Sequence, residues 1–160
     1  MILNTQEYEK ELNELLDITV KQGASDLHLS VGYHPTVRIS GSLVPLVKKE
    51  PLSQGDVESF MKLLVRPDVR EIFLRDKEID FSYSFNNDQA RFRGNCSYSR
   101  GNISIVLRFI PRTIRTLEEL QLPTILADFA RREQGFFLVV GPVGHGKSTT
   151  LAAMIDIINS

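Results

Sequence analysis

One cysteine, Cys96, in 160 residues leaves this chain no means of forming an internal disulfide and suits a reducing cytosol. An excess of charge is missing too. With 19 Lys and Arg against 20 Asp and Glu, the formal net charge is −1, so no basic field points to nucleic acid and no polybasic patch to a membrane surface. No apolar run approaches the ~20 residues that span a bilayer. The N-terminal "MILNTQEYEKELNELL" is acidic and lacks the basic region and apolar core of a signal peptide. There is no C-x-x-C or H-x-x-x-H metal-ligand pattern, no internal repeat and no low-complexity tract. These absences leave a cytoplasmic globular chain with no nucleic-acid partner and no inserted membrane segment. Its 42% hydrophobic and 24% charged residues agree with that class. The length fits one domain, or one small domain plus part of another.

What is present begins with "GPVGHGKSTT" at 141–150, where Gly141, Gly146, Lys147 and Ser148 fit G-x-x-x-x-G-K-[ST]. Upstream, the apolar run 136–140 reads as a strand buried on both faces. Downstream, Leu151, Met154, Ile155 and Ile158 recur at helical spacing. Strand, glycine loop and helix form the context a phosphate loop requires. Its glycines let the backbone wrap phosphate, and the helix N-terminus adds partial positive charge. Lys147 is expected to reach the β- and γ-phosphates of ATP, and the Ser148 hydroxyl to ligate Mg²⁺.

The chain before the loop is built differently. Residues 5–22 form an amphipathic helix with Tyr8, Leu12, Leu15, Leu16 and Thr19 on one stripe, stopped by Gly23. Leu27, Leu29 and Val31 alternate as a half-buried strand, and 36–46 reads as two strands about a tight turn at residues 40–42. Ser53 with Asp56 caps a helix carrying Val57, Phe60, Met61 and Leu64, and Pro67 opens a second through Leu74. Three strands come next, turning at 86–88 and 99–102 and ending near Pro111, which makes an α+β domain with an antiparallel sheet. Pro111, Arg112 and Thr113 read as a linker, Thr116 with Glu119 as the capping box of a short helix, and Pro123 as the start of another running to Arg132. The expected organisation is 1–111, then 112–134 as linker and helices, then 135–160 as the start of an α/β domain. A phosphate-loop sheet needs several parallel strands, so the chain reads as truncated.

The stretches "QGASDLHLSVG", "ARFRGN", "VLRFIP", "TLEELQLP" and "GPVGHGKSTTLAAMID" resemble, in order, the PilT family of twitching-motility ATPases that retract type IV pili, relatives of the secretion traffic ATPases. The resemblance implies a PAS-like N-terminal domain and the first strand, loop and helix of a RecA-like ATPase domain. It also implies a hexameric ring at the cytoplasmic face of the pilus base, peripheral to the inner membrane, working with an inner-membrane platform protein. The nucleotide-binding loop then comprises Gly141, Pro142, Val143, Gly144, His145, Gly146, Lys147, Ser148 and Thr149, with His145 standing where the family usually has a small residue. Arginines of the N-terminal domain reach the phosphates in such enzymes. Arg91, Arg93 and Arg108 occupy the matching stretches, with Arg93 and Arg108 the foremost candidates and Asp80 the alternative partner for Arg108. Asp26 and His28, in the family's "ASDLH" signature, read as structural, and Cys96 as a buried hydrophobe. The family's acidic and histidine boxes would lie beyond Ser160, so these 160 residues alone are expected to be inactive. A pilus-extension or type II secretion ATPase is the alternative within the class; a non-hydrolysing nucleotide-binding module is the alternative outside it. The start at the PAS-like helix points to retraction.

Overall fold

The computed structural model describes residues 4–99, 101–111, 113–142 and 145–160. Arg100 of the 99–102 turn and Arg112 of the linker lie outside the described residues. The chain divides into two compact units, Met1–Arg112 and Thr113–Ser160.

In the first unit, helix α1 (Thr5–Lys21) starts where the Asn4 side chain accepts from the Glu7 N–H and the Glu7 carboxylate accepts the Asn4 N–H. Tyr8, Leu12, Leu15, Leu16 and Thr19 form its buried stripe, and the Thr19 hydroxyl is satisfied by donating to the Leu15 carbonyl at 2.7 Å. Gly23, at φ 61°, takes the left-handed conformation that ends the helix run. Strands β1 (Asp26–Ser30), β2 (Thr36–Ile39) and β3 (Ser42–Pro45) form a meander. Its second turn has Ser40 and Gly41 at φ 48° and 85°, as a two-residue turn between twisted strands demands. Helix α2 (Gln54–Leu64) has the expected Ser53/Asp56 box, and α3 (Pro67–Asp76) has proline in its first turn. A second meander, β4 (Glu78–Phe85), β5 (Ala90–Ser99) and β6 (Asn102–Ile110), completes the unit.

The six strands form one antiparallel sheet in the order β3-β2-β1-β6-β5-β4, so the two meanders join where β1 pairs with β6. Alternation then sorts the side chains. Leu27, Leu29, Val37, Phe92, Cys96, Ile105 and Leu107 face a core filled by α1 and by Val57, Phe60, Met61 and Leu64 of α2. Tyr8 meets Phe60 edge-on with ring centres 5.7 Å apart, and its hydroxyl donates to Asp56 at 2.8 Å, which ties the two helices together. Each large side chain buried here contributes about 1.5–3 kcal/mol. The opposite parity makes a polar face. One row across it is Arg38, Asp26, Arg108 and Arg93, each opposite the next on neighbouring strands.

The second unit contains α4 (Ile125–Ala130) and α5 (Lys147–Asn159) around Leu117, Ala130, Ala153 and Met154. Three expectations need correction. Residues 136–140 are not a strand and are not buried: Phe136 is 89% and Val140 75% exposed. A central strand exists only where neighbours accept its backbone hydrogen bonds, and no described residue of this unit is in a strand. Thr116 and Glu119 do form the reciprocal capping bonds, at 3.0 and 3.2 Å, but they close a single turn rather than open a helix. The helix placed at 123–132 is shorter, Ile125–Ala130. Leu151, Ile155 and Ile158 on α5 are exposed.

Candidate functional site

The glycine loop leads directly into α5. Gly141 has φ 155° and Gly146 φ 78°, and Gly146 is the N-cap of the helix. A Cβ at either would meet no atom within 4 Å, so glycine is needed there for backbone conformation rather than for space. No side chain caps α5 and no acid lies in its first turn, while Lys147 is its first residue. The free first-turn N–H groups and the positive end of the helix dipole thus open directly after the glycine loop, at the residue that carries the ammonium. The Lys147 Nζ donates to the Pro142 carbonyl at 2.6 Å, a neutral partner that a phosphate would outcompete. Ser148 and Thr149 are exposed beside it, as are Pro142 and His145. The Thr150 hydroxyl is engaged locally instead, donating to the Gly146 carbonyl at 3.1 Å. Val143 and Gly144 lie outside the described residues. The donor set, an ammonium with backbone N–H groups and a primary hydroxyl, fits the phosphates and hydrated Mg²⁺ of a nucleotide.

The second candidate group is the cation row on the sheet. Arg93 and Arg108 stand directly opposite each other on β5 and β6, and both side chains are largely exposed. With Asp26, Asp80, Gly94, Asn95 and Val106 they line a cavity of about 210 Å³. Arg93 donates through one terminal nitrogen to Asp80 at 3.0 Å, and Asn95 donates to the same carboxylate at 3.1 Å. The partner of Arg108 is Asp26, not Asp80: the Arg108 Nε donates to the Asp26 Oδ1 at 2.8 Å. Arg38 approaches the other oxygen at 3.2 Å, and the Ser25 hydroxyl donates to it at 2.9 Å. Asp26 is 3% exposed. Burial alone would raise its pKa, but the Arg108 and Ser25 hydrogen bonds and the Arg108 charge together hold it below the ordinary value. Arg91 is elsewhere, paired with Asp88 at 2.9 Å beside Ile110 and Pro111. Burial, with the charge of Arg38, lowers the pKa of His28, and among the described residues no partner hydrogen-bonds its enclosed Nε2. Cys96 is buried, its thiol pushed up to about 12 by desolvation, in keeping with a buried small hydrophobe.

Sequence reasoning placed Arg93 and Arg108 on adjacent strands and read Asp26 as structural, which its buried bridging position agrees with, but it missed Arg38 as the second arginine on that carboxylate. Parity within each strand could have put Arg38 and Asp26 on the polar face. Only the strand order brings Asp26 between Arg38 and Arg108.

This arrangement, an antiparallel α+β domain followed by a glycine loop and helix, matches the N-terminal part of PilT-like proteins. Residues 3–160 match the type II/IV secretion system protein family, and the chain belongs to it. The type IV pilus retraction ATPase PilT of Pseudomonas aeruginosa is 38% identical over 150 residues, 94% of this chain and 43% of that protein. The type IV pilus ATPase PilU of the same organism is 38% identical over 149 residues, 93% of this chain and 38% of that one. A crystal structure of the pilus retraction motor PilT with bound ADP superposes with a TM-score of 0.78 at 34% identity, covering 92% of this chain and 43% of that one. The chain thus spans about two fifths of the length of these relatives. Among the described residues, no helix is long and apolar enough to cross a membrane.

Proposed function

We propose that these residues are the nucleotide-binding N-terminal part of a hexameric motor ATPase that retracts type IV pili. The observation that carries the reading is a glycine loop running straight into α5, whose first turn has no side-chain cap and carries Lys147 and an exposed Ser148. On this reading 1–111 is a PAS-like domain, 112–134 a linker with helices and 135–160 the start of a RecA-like domain. The protein works in the cytoplasm, peripheral to the inner membrane, against a platform protein of the pilus base.

Lys147 exchanges the Pro142 carbonyl for the β- and γ-phosphates of ATP, and the helix N-terminus and loop N–H groups hold the remaining charge. Ser148 is the hydroxyl placed to ligate Mg²⁺, which when bound would offset negative charge developing on the phosphates. Arg93 and Arg108 supply cations that tell ATP from ADP, and a motor needs that difference to change shape in each cycle. A motor for pilus extension or type II secretion is the second reading, favoured by the breadth of the family that matches residues 3–160.

The test is phosphate release by the full-length protein at saturating Mg-ATP. Lys147→Ala is expected to lower turnover by at least ~10²-fold, because it removes the mobile charge on the transferring phosphoryl group. Turnover within a few-fold of the unsubstituted protein would overturn the assignment of this loop.

A further inference from the structure

We infer that Asp26 is a positioning residue: its buried carboxylate holds Arg108 so that the terminal nitrogens of that guanidinium are presented to an anion. The inference rests on the phosphate-sensing role proposed for Arg108 and adds the group that aims it.

The geometry is asymmetric in a telling way. Asp26 engages Arg108 through Nε, and among the described residues no acceptor engages the two terminal nitrogens. A guanidinium gripped at its inner nitrogen keeps its outer fork free, and that fork is the part that matches phosphate. The carboxylate has little freedom to turn. Its second oxygen takes the Ser25 hydroxyl and Arg38, and Arg38 is itself pinned by donating to the Gly41 carbonyl at 3.0 Å. Three strands thus fix one carboxylate, and the carboxylate fixes one arginine.

Arg93 is held differently. Its partner Asp80 is 57% exposed at the side chain, against 5% for Asp26. An exposed pair of this kind is screened by water and exchanges readily. Two like charges directly opposite on neighbouring strands repel, so each arginine needs its own counter-charge while no anion is present. When one arrives, Arg93 can leave Asp80 for it, whereas Arg108 meets it without leaving Asp26. Arg108 is the fixed half of a pincer and Arg93 the movable half.

A purely structural Asp26, stapling β1 to β2 and β6, would leave nucleotide discrimination untouched, and that difference makes the idea testable. The experiment uses the full-length protein with Asp26→Asn, Arg108→Ala and the double variant, reading kcat and KM for ATP, ADP affinity by anisotropy of a fluorescent ADP, and melting temperature. Asp26→Asn is expected to lower kcat about ten-fold while ADP affinity stays within about two-fold, and to add nothing in the Arg108→Ala background. Unchanged kcat in Asp26→Asn beside an impaired Arg108→Ala would overturn the positioning role and leave the phosphate role standing. An undiminished Asp26→Asn effect in the Arg108→Ala background would also overturn it. An Arg108→Ala protein with full kcat would instead overturn the phosphate role itself. Should Asp26→Asn fail to fold, Arg108→Lys keeps a cation on the carboxylate but lacks the fork: a kcat as low as that of Arg108→Ala, at unchanged melting temperature, supports the inference, and retained kcat overturns it.

Discussion

A Cβ added to Gly94 would stand 2.2 Å from the Phe81 Cζ and 2.5 and 2.6 Å from its two Cε atoms. Phe81 is the register partner of Gly94 on β4, and its ring lies across the gap that the missing side chain leaves. The half-buried ring packs against the main core, so moving aside would cost it those contacts. Gly94→Ala should therefore destabilise the first unit by about 1–3 kcal/mol, the ordinary range for overpacking, read as a lower denaturation midpoint at unchanged slope. An unchanged midpoint would mean that the ring is free to move. The residue sits one position from Arg93, so the close approach of Phe81 to the β5 backbone beside the cation row depends on a side chain that is not there.

At the scale of elements, Asp26 makes the β2–β1–β6 junction sensitive to acid. Its folded pKa lies below the ordinary 3.8, so its contribution to stability is fully present above that value and is lost as pH falls through the lowered folded value. Melting temperature should fall between pH 5 and pH 2 in the parent chain, and more gently in Asp26→Asn; parallel curves would show that the bridge contributes nothing. The helices α1 and α2 were legible in advance because a buried stripe at helical spacing and a capping box are local facts. So were the strands of both meanders, where alternation and turn chemistry agree. Residues 136–140 misled because a buried apolar strand is a property of its neighbours as much as of its own residues. Thr116 and Glu119 misled for a different reason. A cap is worth about 1 kcal/mol, which does not by itself offset the unfavourable nucleation of a helix. In the candidate site, the loop could be read from residue types at fixed spacing. The Arg108–Asp26 pair could not, because its members are 82 positions apart and meet only once strand order is known.

On the scale of the whole molecule the two units are unequally built. The first has a core of more than twenty buried side chains drawn from helices and sheet, whereas the second buries Leu117, Ala130, Ala153 and Met154 and leaves Phe136, Leu138, Val140 and Ile158 exposed. Local stability tracks buried contact, so in residues 1–160 the amides of α4 and α5 should exchange with solvent at least about ten-fold faster than those of β1, β5 and β6. Equal protection, measured by hydrogen–deuterium exchange, would refute that ranking. The seam between β1 and β6 also has a kinetic meaning. Each meander can close on its own through short turns, on the microsecond scale typical of hairpins. The seam requires ends some 74 to 82 positions apart to find each other, as the Ser30–Ser104 and Asp26–Arg108 contacts show. Closing so long a loop is entropically unfavourable before any contact compensates it, so this pairing is the natural bottleneck of folding. Until it is passed, Arg38 and Asp26 belong to one half-sheet and Arg93 and Arg108 to the other. The arrangement of charges that would sense a nucleotide is therefore among the last things this chain acquires as it folds.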